Sequence, residues 1–238
     1  MNPKVLNDLF DYGLSIYQIP GCFKFSLDSI LLAEYVKTTN KAKNILDLCT
    51  GNAAIPLILS TKTKAHIDAF EIQKVIYELA NDSVKYNNLE NQISIYNDDI
   101  KDISKYIFDK KYDIITCNPP YFKCDENANI NEKEELAIAR HEIKINLQEI
   151  FKIAASYLND GGEFYLVHRA TRLDEIIITA CNNNLNVKNI ELIKTKEDSK
   201  PYIVLVRCIK SSKYGVKINN IKNINNLVTY KNLFKEDL

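Results

Sequence analysis

Short apolar runs alternate with amphipathic stretches along the middle of the chain. Five runs have the length of buried strands, at residues 44–48, 66–72, 93–96, 112–117 and 163–168. Helical patterns follow several of them, at residues 54–59, 74–86, 147–158 and 173–182. Two more strand patterns, 187–195 and 202–209, are joined by KEDSKP, a spacing that suits a hairpin. The pattern predicts an α/β fold with a seven-stranded, mostly parallel sheet, an antiparallel last strand and flanking helices.

Three units are expected along the chain. Residues 1–40 form an N-terminal cap segment, with a strand pattern at 14–18 and a helix at 27–36 that has Ser26 at its N-cap. Residues 41–210 hold the alternating core, and residues 211–238 form an Asn- and Lys-rich tail that we expect to be loosely packed. Within the core, the polar segment 121–141 is too long for an ordinary connection, and we interpret it as a substrate lid.

Composition places the chain among folded soluble proteins, with 46% hydrophobic and 26% charged residues over 238 positions. No apolar run approaches the roughly 20 residues that span a bilayer, and the N-terminus lacks the pattern of a secretory signal. We therefore expect a cytoplasmic protein without a membrane partner. The six cysteines form no C-x-x-C pair, so we expect no metal site.

The net charge is zero, but the charges are unevenly distributed along the chain. Thirty-one Lys and Arg balance 31 Asp and Glu, which argues against nucleic acid as a partner. However, residues 199–235 contain eight Lys and Arg and no Asp or Glu. This basic stretch is either a solvated face or a contact surface for RNA.

Polar residues follow the first three strands, where open α/β sheets bind their ligands. Asp47, Thr50 and Gly51 lie in the turn DLCTGN, and Glu71 ends the next strand, where it can accept both hydroxyls of a ribose. Asp99, directly before Ile100, either accepts from the amine of a purine or caps a helix over residues 100–106. There is no G-x-G-x-x-G pattern, so a nucleoside without phosphates fits better than a dinucleotide, and an ordinary turn is the alternative.

The segment NPPYF, residues 118–122, follows the fourth strand of the core. Two prolines stiffen the chain and remove two backbone donors, so the loop presents acceptors. The side-chain oxygen of Asn118 and the carbonyl of Pro119 can accept both hydrogens of one planar amino group, and Tyr121 offers a ring for stacking. The alternative is a rigid turn with a buried aromatic side chain.

Together, DLCTGN, Glu71, Asp99 and NPPYF resemble the class I S-adenosylmethionine-dependent methyltransferases that modify exocyclic or amide nitrogens. Three further segments resemble the bacterial tRNA valine adenine-N6 methyltransferases: FSLDSILLA at 25–33, FEIQ at 70–73 and ARHE at 139–142. The resemblance implies a Rossmann-like fold, S-adenosyl-L-methionine as cofactor, tRNA as partner and methylation of the adenine next to a valine anticodon. We expect a monomer. Cys49 and Ala53 stand where such enzymes commonly have glycine, which bears on cofactor affinity.

The same resemblance assigns roles to individual residues. It implies catalysis by the loop residues Asn118, Pro119, Pro120 and Tyr121. It implies cofactor binding by Phe25, Ser26, Asp47, Thr50, Gly51, Glu71, Ile72, Asp99, Ile100 and Asn118. Substrate contacts would come from Tyr121, Phe122, Arg140 and His141, although Arg140 and His141 could equally hold the lid by a salt bridge or a cap.

Rival functions stay open at this point. NPPY also serves enzymes that methylate a glutamine amide of peptide release factors, but those enzymes carry a helical domain before the core, and here the first core strand begins near residue 44. Methylation of DNA adenine or of ribosomal RNA guanine are further alternatives. A binding module without catalysis would be favoured if the protein failed to bind S-adenosylmethionine.

Overall fold

A computed structural model describes residues 3–20, 26–119, 145–194 and 199–224. Its central sheet is built from strands β3 (Asn44–Leu48), β4 (His66–Phe70), β5 (Ile93–Tyr96), β6 (Tyr112–Cys117), β7 (Leu158–Arg169), β8 (Leu185–Lys194), β9 (Ile203–Lys210), β10 (Lys217–Ile218) and β11 (Lys222–Asn223). The helices are α1 (Leu27–Tyr35), α2 (Ala54–Lys62), α3 (Lys74–Tyr86), α4 (Leu147–Tyr157) and α5 (Leu173–Asn182). The bounds of α3 and α5 match those predicted from the sequence.

The strand order is β10-β8-β9-β7-β6-β3-β4-β5, and β11 also pairs with β8. Strand β3 pairs in parallel with both β4 and β6, while β9 is antiparallel to both β7 and β8. The chain runs outward from β3 to β5 and then returns to β6 on the other side of β3. This reversal opens a crevice at the carboxyl ends of β3 and β6, where open α/β sheets bind ligands. The predicted fold class and the antiparallel hairpin strand are confirmed.

The N-terminal segment forms its own hairpin and also packs on the core. Strands β1 (Val5–Leu9) and β2 (Leu14–Gln18) pair only with each other among the described strands. The side chain of Asn87 in the loop after α3 bonds both the N–H and the carbonyl of Ser15, at 3.0 and 2.7 Å. Buried side chains of the hairpin and of α1 share one hydrophobic cluster with β3 and α2. These contacts bring the start of α1 to the carboxyl edge of the sheet.

Residues 211–224 of the tail are mostly exposed, as expected for a loosely packed segment, and two short strand pairings attach them to the sheet. Strands β10 and β11 extend the sheet beyond the seven predicted strands by pairing with β8, and Ile224 is buried in the core. The exposed edge of β8 offers unpaired backbone groups that such short strands satisfy. Residues 225–238 of the tail lie outside the described residues.

Over the described ranges, none of the helices is both long and apolar enough to cross a bilayer. Within the same ranges, His, Cys, Asp and Glu side chains form no group of three or more that could hold a metal ion.

Candidate active site

Three residues of the turn after β3 adopt the left-handed backbone conformation, which makes the turn tight. Cys49, Gly51 and Ala53 have φ values of 59°, 60° and 71°. The N–H of Thr50 donates to the carbonyl of Phe70 at the end of β4, at 2.8 Å. Only glycine adopts such φ values without a steric penalty, so Cys49 and Ala53 each carry a cost of about 1 kcal/mol. The departure from a glycine-rich turn therefore leaves the backbone strained at two positions.

Asp47 is fully buried at the end of β3. Its Oδ1 accepts a hydrogen bond from the Thr116 hydroxyl on β6 at 2.5 Å. Within the described part of the chain, its Oδ2 and the hydroxyl of Thr50 are buried without a hydrogen-bond partner. Burial raises the pKa of the Asp47 carboxyl to about 7, against the lowering effects of the hydrogen bond from Thr116 and of the nearby Thr50 hydroxyl, which lies beyond hydrogen-bond distance. Buried polar atoms without partners are rare, so this pair points to a polar ligand group.

Glu71 ties the turn after β3 to the start of α3. Its Oε2 accepts from the N–H of Gly51 at 2.9 Å, and its Oε1 accepts from the N–H of Gln73 at 2.8 Å. Burial raises the pKa of Glu71 to about 7, while the backbone N–H donors act to lower it. Each carboxylate oxygen can accept a second hydrogen bond, so the side chain keeps acceptor capacity for a ligand.

Asp99 performs the capping role, one of the two roles predicted for it. Its Oδ1 accepts from the N–H of Lys101 at 3.0 Å, at the start of a 3-10 helix over Ile100–Lys105. Ile100 is buried, whereas Ile72, on the neighbouring strand end, is 37% exposed. The side chain of Asn97 joins the two segments by donating to the carbonyls of Glu71 and Ile72, at 2.8 and 3.2 Å.

Asn118 stands at the carboxyl end of β6, beside the turn after β3. Its amide nitrogen lies 3.2 Å from the hydroxyl of Ser26 and 2.9 Å from that of Ser29. Ser26 caps α1 as predicted. Pro119 is buried. The structure thus brings Ser26 and Asn118 into contact. The other predicted residues of this region lie outside the described residues: Phe25, Pro120, Tyr121, Phe122, Arg140 and His141.

Sequence reasoning missed four residues that shape this edge. Thr116 and Asn97 bond to site residues, and Asn52 donates to the carbonyl of Tyr17 in β2 at 3.1 Å. The fourth, Ser29, carries a readable signal, because a position three residues after an N-cap lies on the same side of the first helical turn. The other three give no such signal, since their partners are distant in sequence.

The chain is similar in sequence and in fold to known methyltransferases. The family model described as "Methyltransferase small domain" matches residues 14–195. A tRNA1(Val) (adenine(37)-N6)-methyltransferase from Cytophaga hutchinsonii is 26% identical over 74% of this chain and 73% of its own. A protein of the same name from Trichodesmium erythraeum is 30% identical, over 76% and 78%.

Among solved structures, a predicted O-methyltransferase from Agrobacterium tumefaciens is similar in fold, with a TM-score of 0.65 and 19% identity. That match covers 83% of this chain and 88% of the other. The family model spans well over half of the sequence, and the Trichodesmium relative reaches 30% identity over most of both chains. The chain therefore belongs to the methyltransferase small domain family, together with these tRNA1(Val) (adenine(37)-N6)-methyltransferases.

Proposed function

We propose that this enzyme transfers a methyl group from S-adenosyl-L-methionine to N6 of adenine 37 in tRNA1(Val). The observation that carries the proposal is the position of Asn118 next to the turn after β3. Leu48 pairs with Cys117 in the parallel register of β3 and β6, so Asn118 begins the loop directly beside that turn. Asn118, which can accept hydrogen bonds from an amine, therefore lies in the same crevice as the proposed nucleoside pocket.

The residues around the crevice fit S-adenosylmethionine. When bound, this cofactor supplies an electrophilic methyl group on a sulfonium. The unpartnered Oδ2 of Asp47 suits the ammonium of its amino-acid end, with the hydroxyl of Thr50 close by in sequence. Gly51 has no side chain to obstruct an approaching ligand. Glu71 is assigned to the ribose, while Phe25, Ser26, Ile72, Asp99 and Ile100 are assigned to the rest of the pocket by family resemblance.

Asn118 and Pro119 act on the nitrogen that receives the methyl group. The lone pair of an adenine amine is delocalised into the ring, which makes the amine a poor nucleophile. Hydrogen bonds from its two N–H groups to the Asn118 oxygen and the Pro119 carbonyl favour a pyramidal nitrogen. An amide is too weak a base to remove a proton first, so the nitrogen releases its proton to solvent after it has received the methyl group, and catalysis is by positioning and electrostatics. By family resemblance, Tyr121 and Phe122 are assigned to stacking on the base, and Arg140 and His141 to contacts with the RNA. Pro120 is assigned to the same catalytic loop.

In the described part of the basic stretch, three basic side chains contact other residues of the protein. Arg207 is ion-paired with Glu163 on β7, and Lys222 with Glu191 on β8 at 2.7 Å. Lys210 donates to the carbonyl of Leu158 at 2.9 Å. Lys200 is exposed and lies three residues before β9, which starts beside Arg169 at the carboxyl edge of the sheet. We assign the RNA contact to Lys200.

One assay tests the function. The protein is incubated with S-adenosylmethionine carrying a labelled methyl group and, separately, with unmodified tRNA, ribosomal RNA, DNA and a peptide release factor. We expect label in the tRNA pool, recovered as N6-methyladenosine after digestion, and no label in a tRNA1(Val) transcript with guanosine at position 37. Label confined to the release factor would instead establish glutamine methylation, and label in DNA or ribosomal RNA would replace the substrate.

A further inference from the structure

An arginine and a tyrosine pack together at the carboxyl edge of the sheet, one strand away from the crevice. The guanidinium carbon of Arg169, the last residue of β7, lies 3.8 Å from the centre of the Tyr202 ring. Tyr202 stands directly before β9 and is 49% exposed, although the guanidinium lies over its ring. A planar cation over an aromatic ring is a favourable contact, so the two groups hold each other at the surface of the protein.

The backbone on both sides of this pair is fixed by the sheet. Arg169 pairs with Ile203 in the antiparallel register of β7 and β9. The N–H of Tyr202 donates to the carbonyl of Ile193 in β8, and its carbonyl accepts from the N–H of Ala170, both at 2.9 Å. The ring is therefore presented from a rigid frame. An aromatic side chain held in this way loses little conformational entropy when it binds a ligand.

The pair lies beside the loop that carries Asn118. Cys117 pairs with Leu166 in the parallel strands β6 and β7. Asn118 follows that pair by one residue and Arg169 by three, toward the same edge of the sheet. From the usual spacing between strands and the usual rise along them, the backbones of Asn118 and Arg169 are within roughly 10 Å of each other. The neighbours of a base that Asn118 holds therefore come within reach of the pair.

The chemistry of the pair matches an unpaired nucleotide. Single-stranded RNA is recognised by stacking of its bases on aromatic rings and on the planes of arginine side chains. Such stacking accepts every base, because each has a π-face. Lys200, two residues before Tyr202, is exposed and adds positive charge for the phosphates that flank the stacked base.

We propose that Tyr202 and Arg169 form a stacking site for a base that neighbours the methylated adenine in the tRNA. The inference rests on the proposed function, because it extends the RNA site outward from Asn118. Turning the adenine toward Asn118 breaks its stacking on the bases beside it, and stacking of one of those bases on Tyr202 offsets this cost. The site contributes to tRNA affinity and does not touch the cofactor or the reacting atoms.

The first experiment measures binding of tRNA1(Val), without S-adenosylmethionine, to Tyr202→Leu, Tyr202→Phe and Tyr214→Leu. Tyr202→Leu keeps an apolar side chain but loses the ring, so we expect affinity to fall about tenfold. Tyr202→Phe keeps the ring and should bind within about twofold of wild type. Tyr214 is 85% exposed in the same basic stretch, next to Lys213, whose carbonyl accepts from Lys188 toward the opposite edge of the sheet. Tyr214→Leu is the matched control and should bind within about 1.5-fold of wild type.

Two results of this experiment would overturn the proposal. One is a tRNA affinity of Tyr202→Leu equal to that of wild type, and the other is an equal loss of affinity in Tyr214→Leu. Affinity for S-adenosylmethionine should be unchanged in all three variants, and a loss of cofactor affinity in Tyr202→Leu as large as its loss of tRNA affinity would also contradict the site.

A second set of RNAs separates stacking from a purely structural role of the pair. Two transcripts of tRNA1(Val) each lack one base, either immediately before or immediately after adenine 37. Wild type should bind one of the two about tenfold more weakly than the intact transcript. Tyr202→Leu should lose nothing further on that RNA, because the base that stacks on Tyr202 is absent. An equal loss from Tyr202→Leu on the intact RNA and on both abasic RNAs would show that the pair only holds the end of the sheet, and the proposal would be wrong.

A fluorescence readout needs no catalysis and keeps this inference separate from the proposed function. The chain has no tryptophan, so Tyr202→Trp places a single reporter ring at the site. At concentrations that saturate the protein, intact tRNA1(Val) should quench its emission by stacking, and the more weakly bound abasic RNA should leave most of it in place. The Tyr214→Trp control should keep its emission with both RNAs. Unquenched emission of Tyr202→Trp in the complex would refute the site. Failure of the proposed function would appear differently, as quenching at this position in a protein that transfers no label to adenine 37.

Discussion

The two sides of the crevice are held together in different ways. On the side of β3 and β4, backbone groups make the connections: Thr50 donates to the carbonyl of Phe70, and Gly51 donates to the buried carboxylate of Glu71. On the side of β6, the amide of Asn118 bonds from side chain to side chain, to hydroxyls at the start of α1. We call these the cofactor side and the substrate side.

This difference indicates on which side a substitution can alter turnover without altering cofactor binding. Backbone hydrogen bonds in buried surroundings fix the cofactor side as part of the fold, so changes there alter stability and binding together. On the substrate side, the connections are hydrogen bonds between a few side chains, which single substitutions can remove. We therefore expect turnover to be separable from cofactor binding by single substitutions on the substrate side, and inseparable from stability on the cofactor side.

The largest expected effect tests the substrate side. Asn118→Ala removes the acceptor for the substrate amine and should lower kcat by about two to three orders of magnitude, the range found when a single charge-stabilising group is lost. Affinity for S-adenosylmethionine, measured by isothermal titration calorimetry, should stay within about twofold of wild type. Parallel losses of turnover and cofactor affinity would show that Asn118 belongs to the cofactor side, and the comparison would fail.

The next effect tests the cofactor side through pH. Burial raises the pKa of Asp47 to about 7 in the folded protein, while in the unfolded chain it lies near 4. Between these values the folded state binds more protons than the unfolded state, so stability should fall as pH rises from about 4 to 7. Urea unfolding at pH 5 and pH 7 should differ by a contribution on the order of 2 kcal/mol from this group.

The control for this slope is Asp47→Asn, which does not titrate. Its unfolding free energy should change less between pH 5 and pH 7 than that of wild type, with the remaining slope carried in part by Glu71, whose pKa burial also raises. If the unfolding free energy of Asp47→Asn changes between pH 5 and pH 7 as much as that of wild type, Asp47 stays charged in the folded protein. Its burial would then make no contribution to the pH dependence of stability.

A smaller effect tests backbone strain on the cofactor side. Ala53 is fully buried with φ of 71°, at the N-cap of α2, where glycine would be unstrained. Ala53→Gly should raise the unfolding free energy by about 1 kcal/mol and the melting temperature by a few degrees. Ala80→Gly, within the regular helix α3, is the matched control and should destabilise by a similar amount. Destabilisation by both would show that the loss of the buried Ala53 methyl group outweighs the relief of backbone strain.

Local features of both sides of the crevice are predictable from the sequence, whereas contacts between distant segments are not. Strand ends and turns have local patterns, so Asp47, Gly51 and Glu71 can be found from the sequence, and so can the Ser26 cap. Contacts such as Thr116 to Asp47, or Ser29 to Asn118, join segments 69 and 89 residues apart, and local patterns do not register them. The same reason explains the tail, where β10 and β11 form because the edge of β8 is available, not because their own sequences favour strands.

The smallest expected effect tests how far the surface that binds RNA extends along the edge of the sheet. If RNA lies across the carboxyl edge, Lys200→Gln should weaken tRNA binding about threefold and lower the slope of log affinity against log salt by about 1. Lys213→Gln is the matched control, because Lys213 is exposed in the same basic stretch but lies near Lys188, early in β8 and toward the opposite edge. Binding measured by filter retention at several salt concentrations should leave that variant within about 1.5-fold of wild type. Equal losses of tRNA affinity in both variants would indicate a diffuse electrostatic attraction. The surface that binds RNA would then reach the opposite edge of the sheet instead of ending at the crevice.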